Sequence, residues 1–411
     1  MTPNAASPAL PAAPARAVAP ARAVAAMRSL APLGQRRVAA YALIVLVAYL
    51  PMMAKVFAEA TGTIGSDFLA FWGAGRLVAD GTPELVYNLA AERVAQGPSG
   101  TGQLVAFVNP PPYLFVVAPL GWLPYAAAWV AWALAGWAIW FAVARRILPE
   151  ASLAILAFPA AYLAASHAQN GFVTGALLIG GVIALRRSQA LSGALLGALI
   201  IKPHLALLVP FWLAAGRKWT AFAAAGASAL GLCLASLLVF GADTWAAYPE
   251  SFKASAALMA QDPGPFFLRM ATLYSALRQH GDPAVAMACQ AAVTLALLVL
   301  TCRFWSRARD ETAAGAMMLA ATALASPYLF SYDLAFLALP VFWLAGDARR
   351  TGWRPWEKLL LIVVWMAPLA TRALALPLGI NLMPLASALL VWMVWRRGTP
   401  AKDRIAAISP R

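Results

Sequence analysis

The sequence predicts an all-α polytopic membrane protein, a bundle of about twelve transmembrane helices, and three observations predict this class. Of its 411 residues, 62% are hydrophobic and only 11% are charged, less than half the charged share of a typical soluble domain. The mean hydropathy is +0.73. Apolar runs recur along the whole chain and end at charges, Pro or Gly.

The N-terminal segment 1–35 is rich in Ala and Pro, and it predicts a disordered cytoplasmic tail because frequent prolines disrupt helices and few side chains can pack. The first apolar run begins after Arg37, and no small-residue cleavage site clearly follows it. A retained first span is therefore favoured over a cleaved signal peptide. We expect one transmembrane domain over 36–396 and a basic cytoplasmic tail over 397–411.

Twelve spans are predicted, with long outer loops over about 58–123 and 242–283. Several spans are short for a hydrocarbon core of about 30 Å, which needs about 20 helical residues. The pairs that meet at Lys202-Pro203 and at Ser326-Pro327 are the shortest, so each pair is open to a second interpretation as one broken helix that faces protein or a water-filled cavity. The predicted spans are 38–57, 124–144, 150–166, 171–186, 189–201, 203–216, 219–241, 284–304, 311–325, 332–346, 355–371 and 378–395.

The distribution of charge supports this topology. With a cytoplasmic N-terminus, 23 of the 31 Lys and Arg residues but only 6 of the 16 acids fall on the cytoplasmic side. This is the positive-inside pattern, and it explains the isoelectric point of about 10.3 without a nucleic-acid partner. We expect a multi-pass protein of the inner or plasma membrane with both termini in the cytoplasm.

Several classes of chemistry find no support in the sequence. The three cysteines, Cys233, Cys289 and Cys302, lie inside apolar runs without metal-type spacing and are interpreted as buried hydrophobes. The sequence has no nucleotide-phosphate loop ending in GKS/T, no GxSxG elbow and no tight His/Cys/Asp cluster. No cofactor or metal is therefore predicted, although assistance by a divalent cation stays open.

Asp67 is the first candidate site residue on the predicted outer face. It precedes the stretch 68–78, whose aromatic and apolar residues share one helical face, as in a helix that lies in the membrane interface. The carboxylate has two interpretations. It caps the N-terminus of that helix, or it is a general base that accepts a proton from a sugar hydroxyl.

Two further polar groups interrupt the apolar runs on this face. His167, Gln169 and Asn170 form a turn, which needs polar residues in any case but could also contact a sugar or phosphate. Lys202, two residues before His204, departs from the positive-inside pattern, and placing a lysine at the membrane centre costs roughly 2.5–3.5 kcal/mol of free energy. Either the ammonium reaches the interface along its own stem, or the pair stabilises a phosphate as charge develops.

The last candidates come late in the chain. Asp333 lies close to Tyr328 and Tyr332 at the start of a span, where it could cap the helix. Arg372 is an isolated outer cation that could pair with an acid or bind phosphate.

The order of these motifs resembles glycosyltransferase family 87, a family of integral-membrane GT-C enzymes related to polyprenyl-phosphate-mannose-dependent mannosyltransferases. The resemblance runs from about residue 37 to 395, through short motifs whose order and spacing carry it. The matching residues are Asp67, Phe68, Gly81, Tyr87, Pro110, Pro111, Pro119, Leu120, Leu123, Pro124, Gln169 to Gly171, Ile201 to Pro203, Ser326 and Pro327.

The resemblance implies a GT-C fold with its active site on the non-cytoplasmic face. It implies transfer of a hexose, with mannose favoured, from a polyprenyl-phosphate donor to an envelope glycolipid or glycan, with inversion at the anomeric carbon. The catalytic carboxylate maps onto Asp67, and the lysine of the Ile-Lys-Pro motif maps onto Lys202.

One departure concerns the phosphate. A histidine is expected after the late Ser-Pro, where this chain has Ser331-Tyr332-Asp333. The candidates for contacts with the donor phosphate and sugar are therefore Lys202, His204, His167, Gln169, Asn170, Arg372 and Tyr332. A secondary transporter or lipid flippase is the alternative function, and a non-catalytic assembly protein of the cell envelope is a third.

Overall fold

The computed structural model describes residues 28–30, 33–261 and 263–399. Within these ranges every regular element is helical, apart from an isolated antiparallel bridge between Met270 and Phe330. Most of the predicted N-terminal tail, and the predicted C-terminal tail from residue 400 onward, lie outside the described residues. The fold is that of a helical membrane protein, as predicted.

The described residues contain five helices that are long and apolar enough to cross a membrane. They are Gln35–Thr61, Tyr125–Ala144, Trp219–Phe240, Pro283–Phe304 and Glu357–Ala375. The pair Pro149–Leu156 and Pro159–Ser166, which bends by 49°, would add a sixth span.

The remaining predicted spans coincide with helices shorter than a typical span. These are Gly171–Ala184, Gln189–Gly197, Val209–Ala215, Glu311–Ala325, Ala338–Thr351 and Met383–Gly398. The count of twelve spanning helices is therefore not confirmed, since short helices of this kind need protein or water around their ends.

Both predicted long outer loops are folded into short helices. The first contains Phe68–Ala79, Leu89–Gln96 and Leu114–Val117, with 3₁₀ turns Pro83–Tyr87, Gly97–Ser99, Pro111–Tyr113 and Ala118–Trp122. The second contains Ala242–Ala247, Glu250–Gln261, Pro263–Leu268 and Leu273–Arg278.

The helix Phe68–Ala79 lies inside this outer layer. Nine of its twelve residues are buried, so the expectation of an interface helix with a single apolar face is wrong. Its aromatic side chains join a cluster in which Phe71 contacts Phe107, Tyr113 and Trp132 edge-on at ring-centroid distances of 5.1–6.5 Å. Aromatic pairs of this geometry stabilise beyond simple area burial.

Two glycines let this helix touch the neighbouring turn through its backbone. A Cβ atom added to Gly75 would lie 2.5 Å from the Val117 carbonyl oxygen, and one added to Gly121 would lie 2.2 Å from the Gly75 carbonyl oxygen. No side chain fits at either position, so the contact sets the position of the helix relative to the turn that leads into Tyr125–Ala144.

The second outer loop is attached to the late break in the bundle. Ala271 donates its N–H to the Leu329 carbonyl at 2.7 Å, and Ser331 donates to the Arg269 carbonyl at 3.3 Å. The Asn381 amide donates to the Met270 carbonyl at 3.0 Å. These bonds hold Arg269 beside the segment 326–333.

Irregular backbone separates the two helices in each of the two shortest pairs of predicted spans, at Lys202-Pro203 and at Ser326-Pro327. The 3₁₀ turn Ala198–Ile201 ends at Lys202, whose backbone is not helical (φ −152°, ψ 70°), before the turn Pro203–Ala206. The helix Glu311–Ala325 ends at Ser326, and the chain resumes with the 3₁₀ helix Ser331–Leu337. A proline follows each of these helix ends, Pro203 after Lys202 and Pro327 after Ser326. Proline has no backbone N–H to continue a helix, which explains why the helices end there. Polar side chains consequently enter the interior at these two points.

At the end of the bundle away from Lys202 and Ser326, a buried arginine connects several helices. Arg397 lies within the helix Met383–Gly398, so the helix continues past the boundary predicted for the basic tail at 396. Its guanidinium donates to Asp347 Oδ2 at 3.0 Å and to both oxygens of Glu357. Although burial favours its neutral form, hydrogen bonds from Arg309 and Arg397 hold the pKa of Asp347 below its usual value.

We expect Arg397→Gln to lower the thermal melting temperature in detergent strongly. Removing one partner of a buried ion pair costs about 3–5 kcal/mol, because the remaining charges stay buried without compensation. The control is Arg396→Gln on the same helix, since Arg396 is exposed and stacks on Trp392 at 4.7 Å. Equal melting temperatures for the two variants would show that the buried network does not stabilise the fold.

Candidate functional site

One end of the bundle gathers the polar residues that the sequence analysis singled out. We call it the site end, and it carries Asp67, His167 and Lys202. The helix Gly171–Ala184 starts at this end, after Asn170, and the helix Glu311–Ala325 finishes there. Their other ends lead to Arg186 and Asp310, which belong to the opposite end, called the arginine end.

Lys202 forms a buried ion pair with Asp333 at the centre of the site end. Its Nζ atom lies 2.5 Å from Asp333 Oδ1 and donates to Asn170 Oδ1 at 2.9 Å. Asp333 is completely buried, and its other oxygen accepts the Phe330 N–H at 3.1 Å. Asp333 thus caps the start of its 3₁₀ helix, as predicted. It also pairs with Lys202.

The ion pair with Asp333 shows that the Lys202 ammonium does not reach the membrane interface. The side chain is 8% exposed, so the ammonium does not extend along its stem to water. Two of its three N–H groups are used by Asp333 and Asn170. Direct binding of a phosphate by Lys202 stays a prediction. In the structure, the ammonium is bonded to Asp333 and Asn170 instead.

The motifs of the sequence are joined through this centre. Asn109, from the Asn-Pro-Pro block, donates its amide to the Ile201 carbonyl at 3.2 Å, directly before Lys202. The Tyr87 hydroxyl donates to the Asn109 carbonyl at 2.8 Å. A Cβ atom on Gly171 would lie 1.9 Å from the Tyr332 carbonyl oxygen, so only glycine fits after Asn170.

Asp67 lies at the N-terminal end of the helix Phe68–Ala79, but it does not cap it. Its backbone is already helical, and its side chain makes no capping hydrogen bond. Within the described ranges, no hydrogen bond or ion pair engages this half-buried carboxylate. The capping interpretation is therefore wrong.

Arg372 lies close enough to both Asp67 and Arg269 for their charges to act on it. Arg269 comes from the second outer loop. One Arg372 nitrogen, Nη1, is buried without a hydrogen-bond partner in the described structure. Two guanidiniums that repel each other, one of them unsatisfied, are typical of a site that takes an anion.

Tyr332 and His167 lie between the ion pair and these arginines. Tyr332 stacks on Phe330 with ring centroids 5.1 Å apart, and the Lys202 ammonium lies 5.4 Å from its ring centroid. His167 packs against Tyr332 at 5.3 Å, and its Nδ1 atom lies 2.9 Å from the Leu163 carbonyl oxygen. A carbonyl only accepts, so Nδ1 carries hydrogen and Nε2 presents a lone pair in the neutral ring.

The surroundings of His167 favour that neutral form. Burial lowers the pKa of His167, although the nearby charge of Asp67 opposes the shift. At neutral pH the Nε2 atom is therefore a hydrogen-bond acceptor, which suits a hydroxyl better than a phosphate.

The remaining candidates are less central. The His204 ring packs edge-on against Tyr328 at 5.4 Å, and its Nε2 atom is buried without a partner among the described residues. Gln169 is half-buried and accepts the Asn170 N–H at 3.4 Å. The described residues contain no group of three or more His, Cys, Asp or Glu side chains arranged to hold a metal ion.

Sequence reasoning missed two members of this site. The sequence predicts Asp333 only as a cap and misses its pairing with Lys202. A lone lysine on the same predicted face is a signal that an acid should pair with it. Arg269 is one of several outer cations in the sequence, and the bonds that join its segment to residues 329–331 and to Asn381 bring it close to Arg372.

We expect Lys202→Met to lower the free energy of unfolding by roughly 3–5 kcal/mol, because Asp333 would keep a buried, unpaired charge. The double variant Lys202→Met with Asp333→Asn should regain part of this loss, which a melting series would measure. As a control, Lys218→Met breaks the partly exposed pair with Glu311, worth about 0–1 kcal/mol. If Lys202→Met melts like Lys218→Met, the ion pair is not a structural centre.

Comparison with known proteins identifies the family. Searches of curated proteins and of solved structures yield no significant match. The family model of glycosyltransferase family 87 matches residues 107–327, more than half of the chain. This segment contains Asn109, Asn170, Lys202 and Arg269, so it covers much of the geometry at the site end. The chain therefore belongs to glycosyltransferase family 87.

Proposed function

We propose that this glycosyltransferase moves a hexose from a polyprenyl-phosphate donor to a hydroxyl of an envelope glycolipid or glycan, with inversion at the anomeric carbon. The observation that carries the proposal is the Asp67 carboxylate, without a partner among the described residues, close to Arg372, which Arg269 also approaches at the site end. A lipid-linked phosphate is confined to the membrane surface, where a site between short helices and a folded outer layer can meet it.

Asp67 is the general base in this proposal. Its carboxylate is half-buried, at the start of a helix whose position is set by backbone contact. As the acceptor hydroxyl attacks the anomeric carbon of the donor, its proton passes to the carboxylate, and the bond from that carbon to the phosphate oxygen breaks. A single displacement of this kind inverts the anomeric centre.

Arg372 and Arg269 stabilise the leaving phosphate in this proposal. The free Nη1 of Arg372 supplies a buried donor, and Arg269 supplies a second cation. Their mutual repulsion decreases when an anion binds between them, so donor binding is favoured. Lys202, one of the phosphate candidates from the sequence, instead positions Asn170 and Asp333 through hydrogen bonds.

His167, Tyr332 and Gln169 line the same region and are proposed to contact the sugar. The free Nε2 of neutral His167 accepts a hydrogen bond from a sugar hydroxyl, and the Tyr332 ring offers an apolar surface. Mannose is the favoured hexose because of the family resemblance. The site end is proposed to face the non-cytoplasmic side of the inner or plasma membrane, with both termini in the cytoplasm.

We expect Asp67→Asn to reduce sugar transfer by roughly 10²–10⁴-fold, the usual contribution of a general base. The melting temperature should stay unchanged, because this carboxylate makes no hydrogen bond to any described residue. The assay is transfer of labelled mannose from polyprenyl-phosphate-mannose to an acceptor extract. Asp80→Asn, at the other end of the same helix, is the matched control. Turnover like that of the unaltered protein in Asp67→Asn would remove Asp67 as the base.

We expect Arg372→Gln to raise the KM for the lipid donor more than it lowers kcat, because an arginine–phosphate bond acts already in the bound ground state. The loss should be at least roughly tenfold in kcat/KM, as for one charge-assisted hydrogen bond. Arg93→Gln removes the same charge from an exposed position of the first outer loop and should have no effect. An unchanged donor KM in Arg372→Gln would contradict its assignment to phosphate.

A further inference from the structure

A large basic cavity lies at the arginine end, opposite Asp67. Its volume is about 1150 Å³, and it opens among the connections between helices. Five arginines line it: Arg146, Arg186, Arg187, Arg349 and Arg350. The sugar-transfer site does not use any of these residues.

The positive charge in this cavity is poorly compensated. Arg146, Arg186 and Arg187 are exposed, and no carboxylate pairs with them within the described part of the chain. Of the two acids that line the cavity, Asp310 is already bonded to the Ala313 N–H at 2.8 Å. Glu150 is the other, so guanidiniums outnumber acids in the lining.

An apolar crevice joins the basic cavity. Its volume is about 680 Å³, and the two share Leu148, Glu150 and Arg349. The crevice lies between the helices Gln35–Thr61 and Glu357–Leu378. Its lining includes Val38, Tyr41, Ile362, Trp365 and Met366.

The position of the crevice is that of a membrane-facing surface. Tyr41, Ile362 and Met366 are 56%, 38% and 36% exposed, and they belong to two of the helices that are long and apolar enough to span a membrane. Exposed apolar faces of such helices contact acyl chains. A chain that lies in the crevice therefore has its polar end beside Arg349.

We propose that the joined cavities bind one anionic phospholipid, with its phosphate headgroup among the arginines and an acyl chain in the crevice. Guanidinium groups bind phosphate through paired hydrogen bonds, and basic pockets beside membrane helices are suited to anionic headgroups. A soluble phosphate would use the basic cavity alone. The continuity of the two cavities therefore favours a lipid, at a site separate from that of the sugar donor.

The test is lipid binding to the purified full chain in a neutral detergent, measured by native mass spectrometry. Phosphatidylglycerol should bind, and zwitterionic phosphatidylcholine should bind more weakly. The triple variant R146Q/R186Q/R187Q should weaken phosphatidylglycerol binding roughly 100-fold, as expected for three arginines near a membrane surface. R36Q/R145Q/R303Q removes the same charge outside the cavity and should leave the binding unchanged.

A second pair of variants tests the acyl chain. Ala39 lines the crevice, whereas Ala40 is exposed beside it on the same helix. Ala39→Trp should weaken phosphatidylglycerol binding, and Ala40→Trp should not. This comparison also decides the question if the triple variant fails to fold, which melting curves will show.

Three results would overturn the proposal. Equal losses in the two triple variants would mean that only the general surface charge attracts the lipid. Equal binding by Ala39→Trp and Ala40→Trp would exclude the crevice. Displacement of phosphatidylglycerol by equimolar glycerol phosphate would assign the cavity to a soluble anion.

Discussion

The buried bond between Lys202 and Asp333 is the constraint on which the site end depends. A charged lysine and a charged aspartate inside a membrane protein are each costly alone, and they are tolerated because they neutralise each other and because Asn170 and the Phe330 N–H complete the network. Asp333, Asn170 and Lys202 come from three different breaks between apolar helices. Folding must therefore bring those breaks together, and the two short interrupted helix pairs are arranged around this contact.

This arrangement separates the residues that build the site from those proposed to act in it. Lys202, Asp333, Asn170, Asn109 and Tyr87 are bonded to one another or to backbone, which limits their movement. Asp67 and the free nitrogen of Arg372 lie next to this network without being part of it. A transferase benefits from such a division, because the groups that meet substrate stay available while their surroundings stay rigid.

The membrane class and the places of the helices followed from apolar runs and charge, and helices occupy most of the predicted apolar runs, although only five or six of them are candidate spans. The sequence could not show which short runs cross the bilayer, because a helix of 14 residues is stable in the interior only through partners that hydropathy does not reveal. It also could not show that the helix after Asp67 is buried, since the covering aromatics Phe107 and Tyr113 come more than thirty residues later in an irregular segment. The pairing of Lys202 with Asp333 joins residues 131 positions apart, which no local pattern encodes.

The contact between Gly75 and Gly121 has a consequence for how this enzyme can diversify. The helix that begins at Asp67 is located by main-chain atoms, so changes of side chain elsewhere in the first outer layer do not shift it directly. Loops around it, such as residues 97–106, can accept insertions or new polar groups while the carboxylate keeps its place. Under the role proposed for Asp67, evolution or design can thus change the surroundings of this carboxylate without moving it.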